Sequence, residues 1–571
     1  MDTYAGGFPA AGWYQLTGKS RGAFRAVLGG HGLLELYAVD STGVRSSVGR
    51  WRAEGDERVV EAQFRLDTGS EWVWVELRAD AEAVGRGEQH ATPVEGCWLD
   101  SGAYWIEGAP RTVSIGVALT TVDRPKSCLA VLQALADVPS DVLARVVVVD
   151  HGAAVLTDAE GYESVSLRLG ARLEVVRQPN LGGSGGFSRG MHEVLAARPG
   201  SAGPGVTHVL LLDDDIILDP EVVERGAAAT ALGYDGLLGA HMLYTSDPTV
   251  LHSTGEIIRR DAFIWRTPAD GLERVDVAAC TPSQTAPLRR AHHVGYSGWW
   301  WCLVPASVLR STGLAMPFFI KWDDVELGLR AQRLGWPTHT LPGIGVWHVP
   351  WVDKDTAVDW QVFFLTRNRL VTAALHGPRV PLRLLAGIAA RGVEHDLTMA
   401  YSAAELTIEG LDAFLEGPQG LLSEQSEGLS LVIDRQRRFA AQNVRDHAGA
   451  GEALGAETSG KVRLGHTAAR RRGSGLGALA PILMRAFIWA PIRREAVTVP
   501  LSEARPNCLG TVDVAHVVSP TGLASGTRRR DRSVARHQSV RILSTTARIL
   551  VTWPRLQRQY RAQARRLTSV A

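Results

Sequence analysis

Cysteine is scarce and badly spaced for a scaffold. The five present, Cys97, Cys128, Cys280, Cys302 and Cys508, are odd in number and never form a C-x-x-C pair. That excludes a disulfide framework and a thiolate metal site, and it fits a reducing compartment. Long apolar runs are missing too. Crossing a bilayer takes about 18 uncharged apolar residues. The nearest stretch, 476–489, is shorter and carries Arg485. The opening MDTYAGGFPAAGWY has no basic segment ahead of an apolar run, so no secretory leader is expected. Acid is missing near the other end, where Asp531 is the single acid among the arginines from Arg528 onward. A net charge of +1 hides this asymmetry, which suits an anionic partner, either nucleic acid or phospholipid. No internal repeat is found. The expected location is cytoplasmic, with the chain resting on a membrane surface.

What remains is a globular composition, 45% hydrophobic and 21% charged, in a chain of 571 residues. That supplies core for about three domains. Residues 1–110 alternate short apolar runs beginning at Phe24, Leu33, Val59 and Trp72 with turns at Gly29-Gly30 and near Asp67, which reads as a small β-sandwich. Its tryptophans suit either a core or ring stacking on sugar. From 111 to 380 the pattern changes to strand, helix, strand. Runs at 113–120, 146–149, 173–177 and 208–212 alternate with helical segments such as 128–135, predicting a doubly wound, Rossmann-like α/β sheet. Ligands then bind beyond the carboxyl ends of the strands. Residues 381–571 read as mainly helical (382–391, 421–444), with a basic tail.

Five local patterns carry chemistry. In His208-Val-Leu-Leu-Leu-Asp213-Asp214-Asp215 an apolar strand ends in three acids. Alternate carboxylates, Asp213 and Asp215, leave the strand end on one side and repel each other unless a hard divalent cation lies between them. A solvated acidic turn is the plain alternative. In Phe318-Phe-Ile-Lys-Trp-Asp323-Asp324 two acids open a helix, where one can cap and the other can act as a general base. His348, between Trp347 and Trp351, suits packing as well as a metal site. Asn180-Leu-Gly-Gly-Ser-Gly-Gly-Phe-Ser-Arg-Gly190 brings glycines to a strand-to-helix loop, which suits phosphate but matches no nucleotide signature. Tyr296-Ser-Gly-Trp299-Trp300-Trp301 sets a row of aromatics just before the second acidic pair.

Together these blocks resemble family 2 of the GT-A glycosyltransferases. Within it they resemble the galactofuranosyltransferases that polymerise the galactan of mycobacterial-type cell walls. The resemblance runs from about Ile115 to His376. It rests on Arg177-Gln-Pro-Asn-Leu-Gly-Gly-Ser-Gly-Gly-Phe, Asp213-Asp-Asp, Ser297-Gly-Trp-Trp, Ile320-Lys-Trp-Asp-Asp, Trp347-His-Val-Pro-Trp-Val-Asp-Lys-Asp, Asp359-Trp-Gln and Arg367-Asn-Arg-Leu. It implies a GT-A core flanked by an N-terminal β-sandwich and a C-terminal helical domain. It also implies Mn2+ or Mg2+ held by Asp213, Asp215 and His348, with Asp324 as general base and Asp323 orienting the sugar. Arg124, Asp150, Asn180 and Asp214 would line the donor site. Tyr296, Trp299, Trp300, His252, Glu256 and Trp265 would shape the acceptor cleft. The implied donor is UDP-galactofuranose, the acceptor a lipid-linked galactan, and the assembly a homo-oligomer. Arg470-Arg-Arg, the apolar stretch 476–489 and Arg493-Arg494 resemble an interfacial membrane element.

The rival readings are a family 2 enzyme with another nucleotide-sugar donor, a nucleotidylyltransferase, and a non-catalytic carbohydrate-binding scaffold. A nucleic-acid partner is not expected, because no reading helix or aromatic-basic platform accompanies the terminal arginines.

Overall fold

The computed structural model describes residues 2–4, 6–67, 69–79, 96–196, 205–350, 359–422, 430, 433, 496–510, 512–518 and 525–569. After helix α1 (Ala10–Thr17), four strands form one antiparallel sheet: β1 (Arg21–Val39), β2 (Arg45–Arg65), β3 (Trp72–Ala79) and β4 (Trp98–Ile106). One edge of β1 pairs with β2, while the other pairs with β4 along its first half and β3 along its second. Gly29-Gly30, read from sequence as a turn, lies inside β1. Gly30 has a φ of +78° and the register with β2 slips beside it, so the pair makes a bulge in one long strand. The described residues therefore form a single sheet where a two-sheet sandwich was expected. Trp72 and Trp74 are buried, and Phe24, Leu34, Leu36 and Val75 share a core with Phe8 and Trp13.

The second sheet has eleven strands. Its parallel half is β5 (Ile115–Thr121), β6 (Leu143–Asp150), β7 (Leu173–Arg177) and β8 (His208–Asp213), in the order β8-β5-β6-β7. Val117, Val146, Val148, Leu210 and Leu212 are fully buried, because α2 (Pro125–Ala136) and α4 (Gly182–Leu195), with the shorter α3 (Tyr162–Leu169) between them, cover the sheet. The order reverses at β5, between β6 and β8, which places a ligand crevice beyond Thr121, Asp150 and Asp213.

Beyond β8 lie the two-residue β9 (Ile216–Ile217), α5 (Pro220–Ala231), β10 (Leu237–Tyr244), β11 (Val250–Ser253) and the hairpin β12–β13 (Ile257–Arg259, Ile264–Arg266). Then follow β14 (Glu273–Asp276), β15 (His292–Val294), β16 (Cys302–Pro305), α6 (Ala306–Thr312), α7 (Asp323–Arg333) and β17 (Thr338–His348). β16 runs antiparallel to both β8 and β10, so this half of the sheet is mixed. β17 pairs with β10 in parallel and with β9 antiparallel.

Helices α8 (Val362–His376), α9 (Leu382–Leu397) and α10 (Tyr401–Glu416) follow, and the small sheet β18 (Val497–Pro500), β19 (Val514–Val518), β20 (Ser525–Arg529) precedes α11 (Arg532–Leu567). That sheet was not read from sequence. Asp531 caps α11 by accepting from the backbone N–H groups of Ser533 and Val534. α11 lies across the three earlier helices, where the fully buried Trp553 and Tyr560 flank Phe414, with Tyr560 stacked at 5.1 Å. No described helix is long and apolar enough to cross a membrane. The interfacial element expected at 470–494 lies outside the described residues, as does most of the helix expected at 421–444.

Trp553→Ala should cost about 3–5 kcal/mol of local stability. Hydrogen exchange should show faster exchange in α11 with β5–β8 unaffected; unchanged protection of α11 would deny that packing its anchoring part.

Candidate active site

Backbone pairing assembles the acidic cluster. His348 pairs with Ile216 across β17 and β9, which sets its ring beside Asp215. His348 Nδ1 lies 2.7 Å from the Val349 carbonyl and donates to it, leaving Nε2 3.2 Å from Asp215 Oδ1 and 3.9 Å from Asp213 Oδ2. One ligand atom from each of the three residues lies within 4.8 Å of the others. Two carboxylate oxygens and an imidazole nitrogen are a donor set that suits Mn2+, with Mg2+ favouring the oxygens.

The electrostatics show how hard these acids are to keep charged. Burial, opposed by His348 and reinforced by Asp215 and Asp214, pushes Asp213 up to about 7. Burial likewise raises Asp214 to about 6, although Thr121 Oγ1 donates to it at 2.6 Å. At Asp215 burial is more than offset by His348 and Arg124, which hold it at about 2. Arg124 Nη1 sits 2.5 Å from Asp215 Oδ2 and 3.6 Å from Asp214 Oδ1, so it is both the expected neighbour of the donor phosphates and a counter-charge to the acids.

The other two expected donor residues order the loops. Asp150 is wholly buried and accepts from Gly152 N (2.9 Å), Leu156 N (3.0 Å) and Arg177 Nη1 (2.7 Å). Its carboxylate is spent on the loop after β6 rather than turned to a ligand. Asn180 Oδ1 accepts from Gly182 N at 2.9 Å and fixes the entry to α4. Here glycine is required: Gly182 has φ +69°, and a Cβ would come within 2.1 Å of the Phe319 carbonyl oxygen.

That contact joins the glycine loop to the second acidic pair. Phe319, Lys321 and Trp322 all have positive φ, +68°, +68° and +71°, in the three residues around Ile320. Such backbone costs of order 1–2 kcal/mol per residue and persists where neighbours over-determine it. Asn368 on α8 does this: its Nδ2 reaches the carbonyls of Phe318 (3.1 Å), Ile320 (2.8 Å) and Lys321 (3.0 Å). Arg367 adds a bond to Phe318 O at 3.0 Å, and the Ser184 N–H donates to Phe319 O at 3.0 Å. Ser184 Oγ also donates to Asp323 Oδ2 at 2.7 Å. Asp324, one residue on, accepts the Val325 N–H at 2.7 Å. Burial first, then Asp323 and Glu256, raise Asp324 well above the usual carboxylate range.

Beside Asp324 runs a polar chain. Tyr244 OH meets His252 Nδ1 at 2.8 Å, His252 Nε2 faces Glu256 Oε1 at 3.3 Å, and Tyr296 OH donates to Glu256 Oε2. Trp265, 54% exposed, stands with its ring 6.5 Å from that of His252. The aromatic row stands in a turn. Trp301 is fully buried, and Trp300 is half-buried with its ring 6.5 Å from His348. Trp299, expected at the acceptor cleft, is buried against Phe187 at 4.9 Å. It packs the wall of the site instead of facing a ligand. Tyr244, Thr121, Ser184 and Asn368 were not picked out by role, although the Arg367-Asn-Arg-Leu block had flagged Asn368.

A phosphate-suited glycine loop, an acid-and-imidazole cluster at the strand ends and a buried carboxylate opposite define a glycosyltransferase. The family described as "Glycosyltransferase like family 2" matches residues 110–373, and "Galactofuranosyltransferase-2, domain 3" matches 384–571. The chain is 32% identical over 555 residues to galactofuranosyltransferase GlfT2 of Mycobacterium tuberculosis, covering 93% of this chain and 82% of that one. It is 33% identical over 435 residues to GlfT2 of Mycolicibacterium smegmatis, covering 74% and 64%. The chain belongs to the GlfT2 galactofuranosyltransferase family. Solved structures resemble it weakly. GalNAc-T7 with UDP, GalNAc and Mn2+ has a TM-score of 0.31 at 15% identity over 42% of this chain and 43% of that one. A mycobacterial protein has a TM-score of 0.27 at 17% identity over 46% and 73%.

Asn368→Ala should release the strained loop and lower kcat about 10²-fold, since a shift near 1 Å in a reacting group has that effect. UDP affinity should change little. Steady-state kinetics beside a UDP titration checks this, and wild-type turnover in a folded variant would show that the loop holds its shape unaided.

Proposed function

We propose that this chain transfers galactofuranose from UDP-galactofuranose to a growing lipid-linked galactan, with inversion at the anomeric carbon. The observation that carries the reading is the meeting of Asp213, Asp215 and His348 within 4.8 Å at the carboxyl edge of the sheet. Asp213, Asp215 and His348 would hold Mn2+ or Mg2+, which neutralises the diphosphate of the leaving UDP. Burial and the neighbouring Asp215 both disfavour the charged form of Asp213, and a cation there would offset them.

Arg124 turns from the acids to the diphosphate once those acids are otherwise neutralised. Asp323, fixed by Ser184, orients the donor sugar. Asp324 takes the proton from the acceptor hydroxyl as that oxygen attacks, which a buried carboxylate of raised basicity does well. Glu256, held by Tyr296, with His252 and Trp265 receives the incoming sugar. Peripheral attachment at the inner face of the plasma membrane also belongs to the proposal. Its support is α11, with nine arginines, no acid, and Val540, Leu543 and Val551 exposed. The proposed arrangement into sections 1–110, 111–380 and 381–571, and assembly as a homo-oligomer, follow the family likeness.

Mass spectrometry of products from Mn2+, UDP-galactofuranose and a short lipid-linked galactofuranose acceptor should show a ladder of added hexoses, abolished by EDTA. Transfer from a different nucleotide sugar alone would replace the donor assignment. Asp324→Asn should cut kcat by about 10²–10⁴ with metal-dependent UDP binding near normal; nearly full turnover would remove the base role.

The base must be ionised, so kcat/KM should rise with pH through a value well above the usual carboxylate range. Glu256→Gln removes a like charge beside Asp324 and should move that acid limb to lower pH. A limb that stays put or moves upward would contradict the coupling.

A further inference from the structure

Helix α7, which carries Asp324, has a glycine in its middle. Gly328 is buried there, far from either cap, although glycine is the poorest helix former after proline. A close approach of backbone accounts for it. A Cβ on Gly328 would stand 2.6 Å from Tyr296 Cβ, 2.9 Å from Tyr296 Cα and 3.0 Å from the Gly295 carbonyl oxygen. α7 therefore lies directly against the backbone of the segment that follows β15. Gly328 comes four residues after Asp324, so the two share one face of the helix. The face that carries the proposed base is the face pressed onto Tyr296.

A second glycine repeats the device one layer further on. Gly295 N–H donates to the Glu256 carbonyl at 3.0 Å, and Glu256 pairs with Tyr296 in an antiparallel bridge. A Cβ on Gly295 would meet Ile257 Cα and Ile258 N, each at 3.3 Å. Tyr296, buried between these layers, donates its hydroxyl to the Glu256 carboxylate. α7, residues 295–296 and the start of β12 are thus stacked at backbone contact, with a glycine at each junction. The opposite side of α7 is pinned. Glu326, 1% exposed, is held by Arg330 Nη2 at 2.8 Å and lies 2.9 Å from His376 Nε2 at the end of α8. Arg330 Nη2 also donates to the Leu314 carbonyl at 2.9 Å.

From this stacking we infer that Gly328 and Gly295 are positioning residues for the transfer step: they close α7 onto Tyr296 and Tyr296 onto Glu256, and so fix the separation of the Glu256 and Asp324 carboxylates. The inference rests on the reading of Asp324 as the general base. The separation matters because a like charge close by makes a carboxylate a stronger base and delays its ionisation as pH rises. Asp324 is faced by Asp323 beside it in α7, by Lys321 just before the helix, and by Glu256, Tyr296 and Cys302 from other elements. Asp323 travels with α7, and burial keeps Tyr296 and Cys302 uncharged by raising both. Glu256 is the charge that the two glycines place. With the back of α7 pinned, a methyl group at 328 is relieved by displacing Tyr296, and Glu256 moves with it.

The test is the pH profile of kcat and kcat/KM for the full chain, with a UDP titration of each variant as the check on folding. Moving Glu256 away lowers the basicity of Asp324, so Gly328→Ala should shift the acid limb to lower pH. Its plateau kcat should fall about tenfold or more, with UDP affinity unchanged. Gly295→Ala, the milder change at 3.3 Å, should shift the limb the same way by less, and it carries the test if Gly328→Ala does not fold. In a Glu256→Gln background neither glycine variant should move the limb further. Gly387→Ala in α9, where the nearest atom is Arg369 Nη2 at 3.8 Å, should match the wild type. A limb that responds to Glu256→Gln but to neither glycine variant would overturn this inference alone, as would equal shifts in both backgrounds. A limb indifferent to Glu256→Gln itself would remove the coupling at Asp324 and this inference with it, so the two failures are distinguishable.

Discussion

Carboxylates that repel one another in a buried crevice are the constraint the rest of the site answers. Asp213, Asp214 and Asp215 leave β8 together, and Asp323 and Asp324 open α7 on the facing side. Lys321 acts electrostatically on Asp213, Asp323 and Asp324 alike, which places one cation between the two groups of acids. Arg124 and His348 balance the first group, and Ser184 and the start of α7 support the second. Charge is thus shared unevenly. Asp215 stays a strong anion at about 2 while Asp213 is pushed to about 7.

Holding acids this close also takes a rigid backbone. The positive-φ run at Phe319, Lys321 and Trp322 aims Asp323 and Asp324 into the crevice, and α8 holds that run through Asn368. α8 packs in turn against α10 and α11, whose contacts at Phe414, Trp553 and Tyr560 are aromatic and buried. Chain more than 150 residues downstream of Asp324 therefore bears on the loop that presents it.

Much of this was legible in the sequence because it depends on local pattern. Buried parallel strands read as continuous apolar runs, and a strand ending in Asp213, Asp214 and Asp215 announces itself. Trp299 was placed at the acceptor cleft by resemblance alone, whereas the turn it stands in sends both Trp299 and Trp301 into the core. Gly29-Gly30 was misread because glycine serves a bulge as well as a turn. His348 was ambiguous for a different reason: only the pairing of β17 with the two-residue β9 brings it to Asp215, and a pairing across 132 positions leaves no local trace. Asn368 is hidden in the same way, since its three acceptors lie on a loop 47 to 50 positions earlier.

The most direct test of the account is a Mn2+ binding isotherm on the full chain, read by electron paramagnetic resonance with and without UDP. The account predicts one saturable site per chain that UDP tightens, and loss of that site in both Asp215→Ala and His348→Ala. Mn2+ binding unchanged in both variants would place the cation elsewhere and contradict the central claim.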